Sequence, residues 1–174
     1  MFHPSNSATG SITPEQIRLV LDVSRMLAVT TELDPLLSRI AEAATALLNC
    51  ERSSIFLHDA KNQTLWSKVA LGVTPGGGEI RVSSQAGIVG YAFSHNEPVH
   101  VPDPYADPRF NSEPDRRTGF RTRNLLAVPM VDLDKRPLGV IQAINKVGPH
   151  TFSADDLSLL QLLADQAGVA IQRY

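Results

Sequence analysis

Four residues, Gly87-Ile88-Val89-Gly90, read as the opening turn of a short helix that follows a loop. Backbone N–H groups at such a terminus are unpaired and sit at the positive end of the helix dipole, so Ile88 and Val89 are candidate contacts for a phosphate. The plain alternative is two glycines that only permit a tight turn into the helix. Further along, Asp115, Thr118 and Thr122 offer one carboxylate and two hydroxyls. Hydroxyls suit phosphate and ribose oxygens, and a buried carboxylate accepts N–H groups of a base. Asn145-Lys146 followed by Asp156 is a third feature, read either as a structural ion pair or as a helix cap beside an exposed lysine. Arg109, Arg116, Arg117, Arg121 and Arg123 alternate with Asp107, Glu113 and Asp115, as on a solvated face, and receive no specific role.

Catalytic arrangements are missing from the sequence. The histidines, at positions 3, 58, 95, 100 and 150, show no HxH or HExxH spacing, so no metal site and no metal cofactor is expected. No GxSxG, P-loop or paired carboxylates occur, and Cys50, the single cysteine, permits neither a disulfide framework nor a CxxC pair. The expectation is a binding domain with no catalytic residues.

The elements that must hold these groups follow from periodicity and caps. Residues 1–12 are small and polar and read as a flexible tail, with one domain over 13–174. Thr13-Pro14-Glu15-Gln16 is a helix start with a capping box, and Ile17, Val20, Leu21, Ser24, Leu27 and Ala28 form its apolar stripe. A second helix starts at Asp34-Pro35 and ends near Asn49. Ser53–His58 reads as a strand with Ile55 and Leu57 on one face, Thr64–Val69 as its hairpin partner, and Glu79–Val82 as a third strand after the Pro75–Gly78 loop. Gly87–Ser94 is a short helix and Pro98–Val101 a brief extended piece. The five prolines between Pro98 and Pro114 argue for an irregular binding loop, since proline lacks the N–H that pairing needs. Leu125–Val131 and Leu138–Asn145 are the clearest strands. Ser153 caps a last helix, with Leu157, Leu160, Leu163, Ala167 and Ala170 inward, expected to run on to Tyr174 and into a further module.

Helices bracketing about six antiparallel strands indicate an α+β domain. The terminal helices then pack on one face of the sheet, and the inserted helix and loop cover the other, leaving a pocket. At 174 residues, with 43% hydrophobic and 20% charged, the chain can bury an ordinary core. A net charge of −2 supplies no field for nucleic acid or an anionic membrane. No run approaches a membrane span and no signal peptide is evident, which makes the cytoplasm the expected compartment.

Three segments, Gly87–Ala92, Asp103–Asn124, and Asn145-Lys146 with Phe152 and Asp156, resemble the GAF family. Their order is similar to that in the cyclic-nucleotide-binding GAF domains of phosphodiesterases and adenylyl cyclases. The resemblance covers Glu51 to the C-terminus. It implies a sensory domain that binds a cyclic nucleotide through Ser54, Ile88, Val89, Asp115, Thr118, Thr122 and Gln142. It also implies a Lys146–Asp156 bridge within an Asn145, Lys146, Phe152, Asp156 motif, holding the lid region and last helix. Where the family has Asp-Glu, Asp156 is followed by Leu157.

Two departures bear on the base. Gln142 stands where the relatives carry an acid, and Ala70-Leu71 where several cyclic-GMP-binding relatives carry Phe-Asp, so the resemblance implies cyclic AMP over cyclic GMP. GAF domains that reduce methionine sulfoxide or carry bilin need cysteines that Cys50 does not replace. The family often dimerises through its terminal helices, here through Leu160, Leu163, Ala167 and Ala170 with a comparable stripe on the first helix. A homodimer relaying its state to an output module is therefore expected; the alternative is a GAF module that only dimerises and binds no nucleotide.

Overall fold

The computed structural model describes residues 12–67 and 80–174. Residues 1–11 of the tail read over 1–12, the Pro75–Gly78 loop and the Ala70-Leu71 pair lie outside the described residues.

Helix α1 (Pro14–Val29) starts with the expected reciprocal cap: the Thr13 hydroxyl accepts from the Gln16 amide at 3.1 Å, and Gln16 Oε1 accepts from the Thr13 amide at 2.9 Å. Helix α2 (Leu33–Leu48) ends at Asn49, which adopts a left-handed φ of 51°. There follow β1 (Cys50–Asp59), β2 (Thr64–Ser67), β3 (Ile80–Ser83), α3 (Gly87–His95), β4 (Val99–Val101) and a 3₁₀ turn at Pro104–Ala106. Then come α4 (Glu113–Thr118), β5 (Leu125–Val131), β6 (Pro137–Lys146) and α5 (Ala154–Ile171). The strands form one antiparallel sheet in the order β3-β2-β1-β6-β5-β4. This is the expected α+β architecture.

Alternation along the central strands divides the molecule into two layers. Ile55, Leu57, Ile141 and Ala143 face a core filled by α1, α2 and α5, with Leu36, Leu37, Ile40, Leu48, Leu159 and Leu160 fully buried. Full burial of each such side chain contributes about 1.5–3 kcal/mol. Phe56, Val140 and Ile144 face the other layer, together with Ile88, Val89, Ala92, Val99 and Leu125. Helix α5 lies so near β5 that a Cβ on Gly168 would meet the Val131 carbonyl oxygen at 2.2 Å, so only glycine fits there.

Three helical expectations change. In α1 the inward stripe is Val20, Val23 and Leu27, whereas Ile17 and Leu21 are 52% and 59% exposed and Ser24 and Ala28 also face out. Both stripes have helical spacing; the one that meets α2 and α5 is set by where those helices lie. In α5, Leu160, Leu163, Ala167 and Ala170 are buried in the molecule's own core, which leaves Leu162 and Val169 as the exposed apolar residues. Helix α5 itself ends at Ile171. No described helix is long and apolar enough to cross a membrane.

Candidate functional site

Between the sheet and the segment spanning α3, α4 and residues 119–124 lies a cavity of about 430 Å³, inside the range of small-molecule sites. Its floor is Arg52, Ser54 and Phe56 of β1 with Gln142 and Ile144 of β6, and register sets Ser54 opposite Gln142 and Arg52 opposite Ile144. Ile80, Val82, Ile88, Val89, Phe110 and Phe120 make its walls mainly apolar. All seven residues marked for a ligand by the sequence (Ser54, Ile88, Val89, Asp115, Thr118, Thr122 and Gln142) line this one cavity.

Their hydrogen bonding separates them into two groups. Asp115, almost fully buried, accepts three bonds: Oδ2 from the Tyr105 hydroxyl and the Thr122 amide, both at 2.7 Å, and Oδ1 from the Thr122 hydroxyl at 2.9 Å. Its carboxylate thus fastens α4 to the segments on either side of it, and it pushes the Tyr105 phenol above its usual range by favouring the protonated donor. The Thr118 hydroxyl donates to the Pro114 carbonyl at 2.9 Å and accepts from the Phe120 amide at 3.3 Å, closing the end of α4. On the floor, by contrast, the side chains of Arg52, Ser54 and Gln142 have no hydrogen-bond partner among the described residues. At the cavity's edge, which Gly87, Ile88 and Val89 line, α3 begins with no side-chain cap for its first amides.

The lid is also tied at two other places. Asn145, buried and left-handed at φ 62°, accepts at Oδ1 from the amides of Arg123 (2.6 Å) and Asn124 (3.3 Å). Its Nδ2 donates to the Arg121 carbonyl at 2.9 Å and to Glu51 at 3.0 Å. Asparagine tolerates this backbone region where most side chains do not. Nearer α3, Asp107 grips Arg109 through Nε at 3.0 Å and Nη2 at 2.7 Å, and those donors hold the Asp107 carboxyl below its ordinary range. Arg109 in turn lies over Tyr91, which stacks on His95, while Arg121 lies over Tyr105. Two of the arginines that composition left without a role, Arg109 and Arg121, therefore pack within the lid.

Lys146 does what a bridge does, but at a different joint. Its ammonium donates to Asp156 at 3.0 Å and to the Leu48 carbonyl at the end of α2 at 2.6 Å. Asp156 also completes a cap, accepting from the Ser153 amide at 2.8 Å while its own amide donates to the Ser153 hydroxyl at 3.1 Å. The Lys146 side chain thus joins β6 to α2 and α5, and the lid hangs from Asn145 instead. Phe152 is buried in the helix-side core beside this joint. Cys50, at the start of β1, is buried, and burial pushes its thiol up. No group of three metal-ligating side chains exists among the described residues.

Arg52 escaped the sequence reading. Its only local signal is a charge at an alternating strand position, and its significance comes from Phe120, distant in sequence, whose ring lies 3.4 Å from the guanidinium carbon.

The GAF domain family model matches residues 32–171. The chain belongs to the GAF family. It is 36% identical over 165 residues to a dual 3',5'-cyclic-AMP and -GMP phosphodiesterase 11A of Takifugu rubripes, covering 89% of this chain and 18% of that protein. It is 34% identical over 169 residues to the phosphodiesterase 11 of the same description from Drosophila melanogaster, covering 88% of this chain and 11% of that one. The chain therefore spans less than a fifth of either relative. Among solved structures, the GAF domain of an Acinetobacter phosphoenolpyruvate-protein phosphotransferase superposes with a TM-score of 0.78 at 21% identity, covering 92% of this chain and 95% of that one. This GAF domain thus has the fold of a sensory module and is related to GAF regions of phosphodiesterases.

Proposed function

We propose that this GAF domain binds a cyclic nucleotide between the sheet and the lid, and that the bound state is relayed through α2 and α5 to an output module elsewhere in a longer protein. The observation that carries the reading is the cavity's division of labour. A lid whose Asp115, Thr118 and Thr122 side chains are taken up by bonds within it closes over a floor whose polar groups have no partner among the described residues, beside an uncapped helix terminus. An uncapped terminus suits the phosphate. The floor's donors and acceptors suit the base, and the apolar walls suit its faces.

A ligand shifts the domain only by binding two of its states unequally. The lid is bonded to Asn145, and the next residue carries the ion pair to α5 and the bond to α2, so the ordering of the lid and the setting of the helices meet at adjacent residues of β6. The chemistry of turnover is assigned to other domains; this one is regulatory, and the cytoplasm suits its ligand. Calorimetric titration with cyclic AMP and cyclic GMP tests the proposal: saturable heat with a raised melting temperature is expected, and no heat with either nucleotide rejects it.

A second role is favoured by Ile17 and Leu21 of α1 with Leu162 and Val169 of α5, apolar residues exposed on the helical face. They suit a homodimer that carries the relay. Sedimentation of the wild type against a Leu21→Glu, Val169→Glu variant checks this, with a monomeric wild type counting against it.

A further inference from the structure

Two guanidinium groups and one carboxylate line the cavity: Arg52, Arg117 and Asp115. Both Asp115 oxygens are already taken, by Tyr105 and Thr122. Arg52 lies on the Phe120 ring, its guanidinium carbon 3.4 Å from the ring centre. Arg117 differs from both. It is exposed, lines the cavity from α4, and has no hydrogen bond, ion pair or ring contact among the described residues. Its neighbours in the lid are engaged: Arg109 by Asp107, Arg121 by the Tyr105 ring, and Arg123 by Glu51. An unengaged cation beside a cavity whose one carboxylate is satisfied favours an anionic guest.

Pro114, Arg117 and Thr118 all line the cavity, and their spacing places them on one face of α4. Side chains of a helix lean toward its N-terminus, so Arg117 extends back over Pro114 toward the start of α4. That start lies at the α3 end of the cavity. Asn111, another lining residue, accepts from the Glu113 amide at 3.1 Å, and two residues earlier Arg109 sits over the Tyr91 ring of α3 at 4.6 Å. The far end of α4 runs instead into Phe120 and its contact with Arg52. Arg117 and the uncapped first amides of α3 therefore approach the same end of the cavity from two different helices.

We propose that Arg117 is an anion clamp: its guanidinium pairs with the phosphate held by the α3 amides, and the pairing draws α4 over the bound molecule. A cyclic phosphodiester keeps two oxygens outside its ring that share one negative charge, and the guanidinium fork presents parallel N–H donors to such a pair. Arg117 is thereby a specificity-determining residue, selecting a charged ligand over an uncharged one of the same shape. It stands two residues from Asp115, which fastens α4 to Tyr105 and Thr122, so closing on the phosphate pulls on the segment that Asn145 holds. The assignment rests on a cyclic nucleotide occupying the cavity, and it holds for either base.

Titration of wild type, Arg117→Gln, Arg117→Lys and Arg116→Gln with cyclic AMP, cyclic GMP and the uncharged phosphate methyl ester of each tests the assignment, with melting curves for every protein. Arg116 is the matched control, because it is an exposed arginine of the same helix that does not line the cavity. Arg117→Gln is expected to bind the cyclic nucleotides roughly 10- to 100-fold more weakly than wild type, the range of a lost hydrogen bond between charged groups, and the esters within about threefold. Arg117→Lys keeps the charge without the fork and lies between, and Arg116→Gln stays within about threefold of wild type for every ligand. An Arg117→Gln variant that binds cyclic nucleotide like the wild type, that loses no more than Arg116→Gln, or that loses the esters equally overturns the clamp and leaves the cyclic-nucleotide reading standing. Failure of both nucleotides to bind the wild type removes both. Should Arg117→Gln not fold, Arg117→Lys decides alone: a loss of about threefold or more for the nucleotides supports the clamp, and a smaller one overturns it.

Discussion

Asp115 separates two accounts of the lid, because its carboxylate either touches the ligand or holds the lid that touches it. The structure gives it three donors, from Tyr105 and Thr122. Asp115→Asn retains an oxygen at the position of Oδ2 for the two 2.7 Å bonds and turns its amide toward the Thr122 hydroxyl, which can rotate to accept. Only charge assistance is lost, about 1 kcal/mol. Asp115→Ala removes all three acceptors. The half-exposed Tyr105 hydroxyl then finds water, but the Thr122 amide is left buried and unpaired at about 1–3 kcal/mol, so the total comes to about 2–4 kcal/mol. For a chain of this size that is a fall in melting temperature of roughly 5–15 °C. Thermal unfolding of both variants, with cyclic-nucleotide titration below their transitions, is the assay. Asp115→Asn should bind within about threefold of wild type, and Asp115→Ala should lose both stability and affinity. An Asp115→Asn variant that melts like the wild type yet loses affinity by tenfold or more refutes the reasoning, since it would put the carboxylate on the ligand.

Asn145→Ala loses four side-chain bonds and a tolerated left-handed conformation, and should weaken ligand binding more than Lys146→Ala, whose side chain joins helices only; equal losses in a titration of both would contradict that division. Gly168→Ala should lower stability by about 1–3 kcal/mol in denaturant melts by forcing α5 off the Val131 carbonyl, and a change under about 0.5 kcal/mol would show that the helix shifts freely. Burial holds the His100 imidazole below its ordinary value against the opposing pull of Asp156. The unfolded chain therefore binds the proton more readily, so this contribution is complete above pH 6.5 and disappears as pH falls through the lower folded value. His100→Gln should flatten that part of the stability profile, and an unchanged slope would discount it.

Much of the fold was legible because the interactions that set it are local. The Thr13–Gln16 and Ser153–Asp156 caps join backbone and side chain within one turn, so their residue types announce them. β5 matched its expected bounds, since apolar and β-branched residues in a run leave few other conformations. The cavity's existence followed from counting faces: helices at both chain ends cover one side of the sheet, and the inserted segment must cover the other.

Sequence by itself determined the types of the longer elements, the layer order and seven of the residues that line the cavity, because periodicity, caps and the three GAF segments are properties of neighbours along the chain. Only tertiary structure decided which stripe of α1 faces inward, that Asp115 holds Tyr105 and Thr122, that Asn145 rather than Lys146 carries the lid, and that Arg52 lies on Phe120. Each of these is a choice among chemically equivalent partners, made by which surfaces the sheet brings within bonding distance, and spacing along the chain carries no record of it.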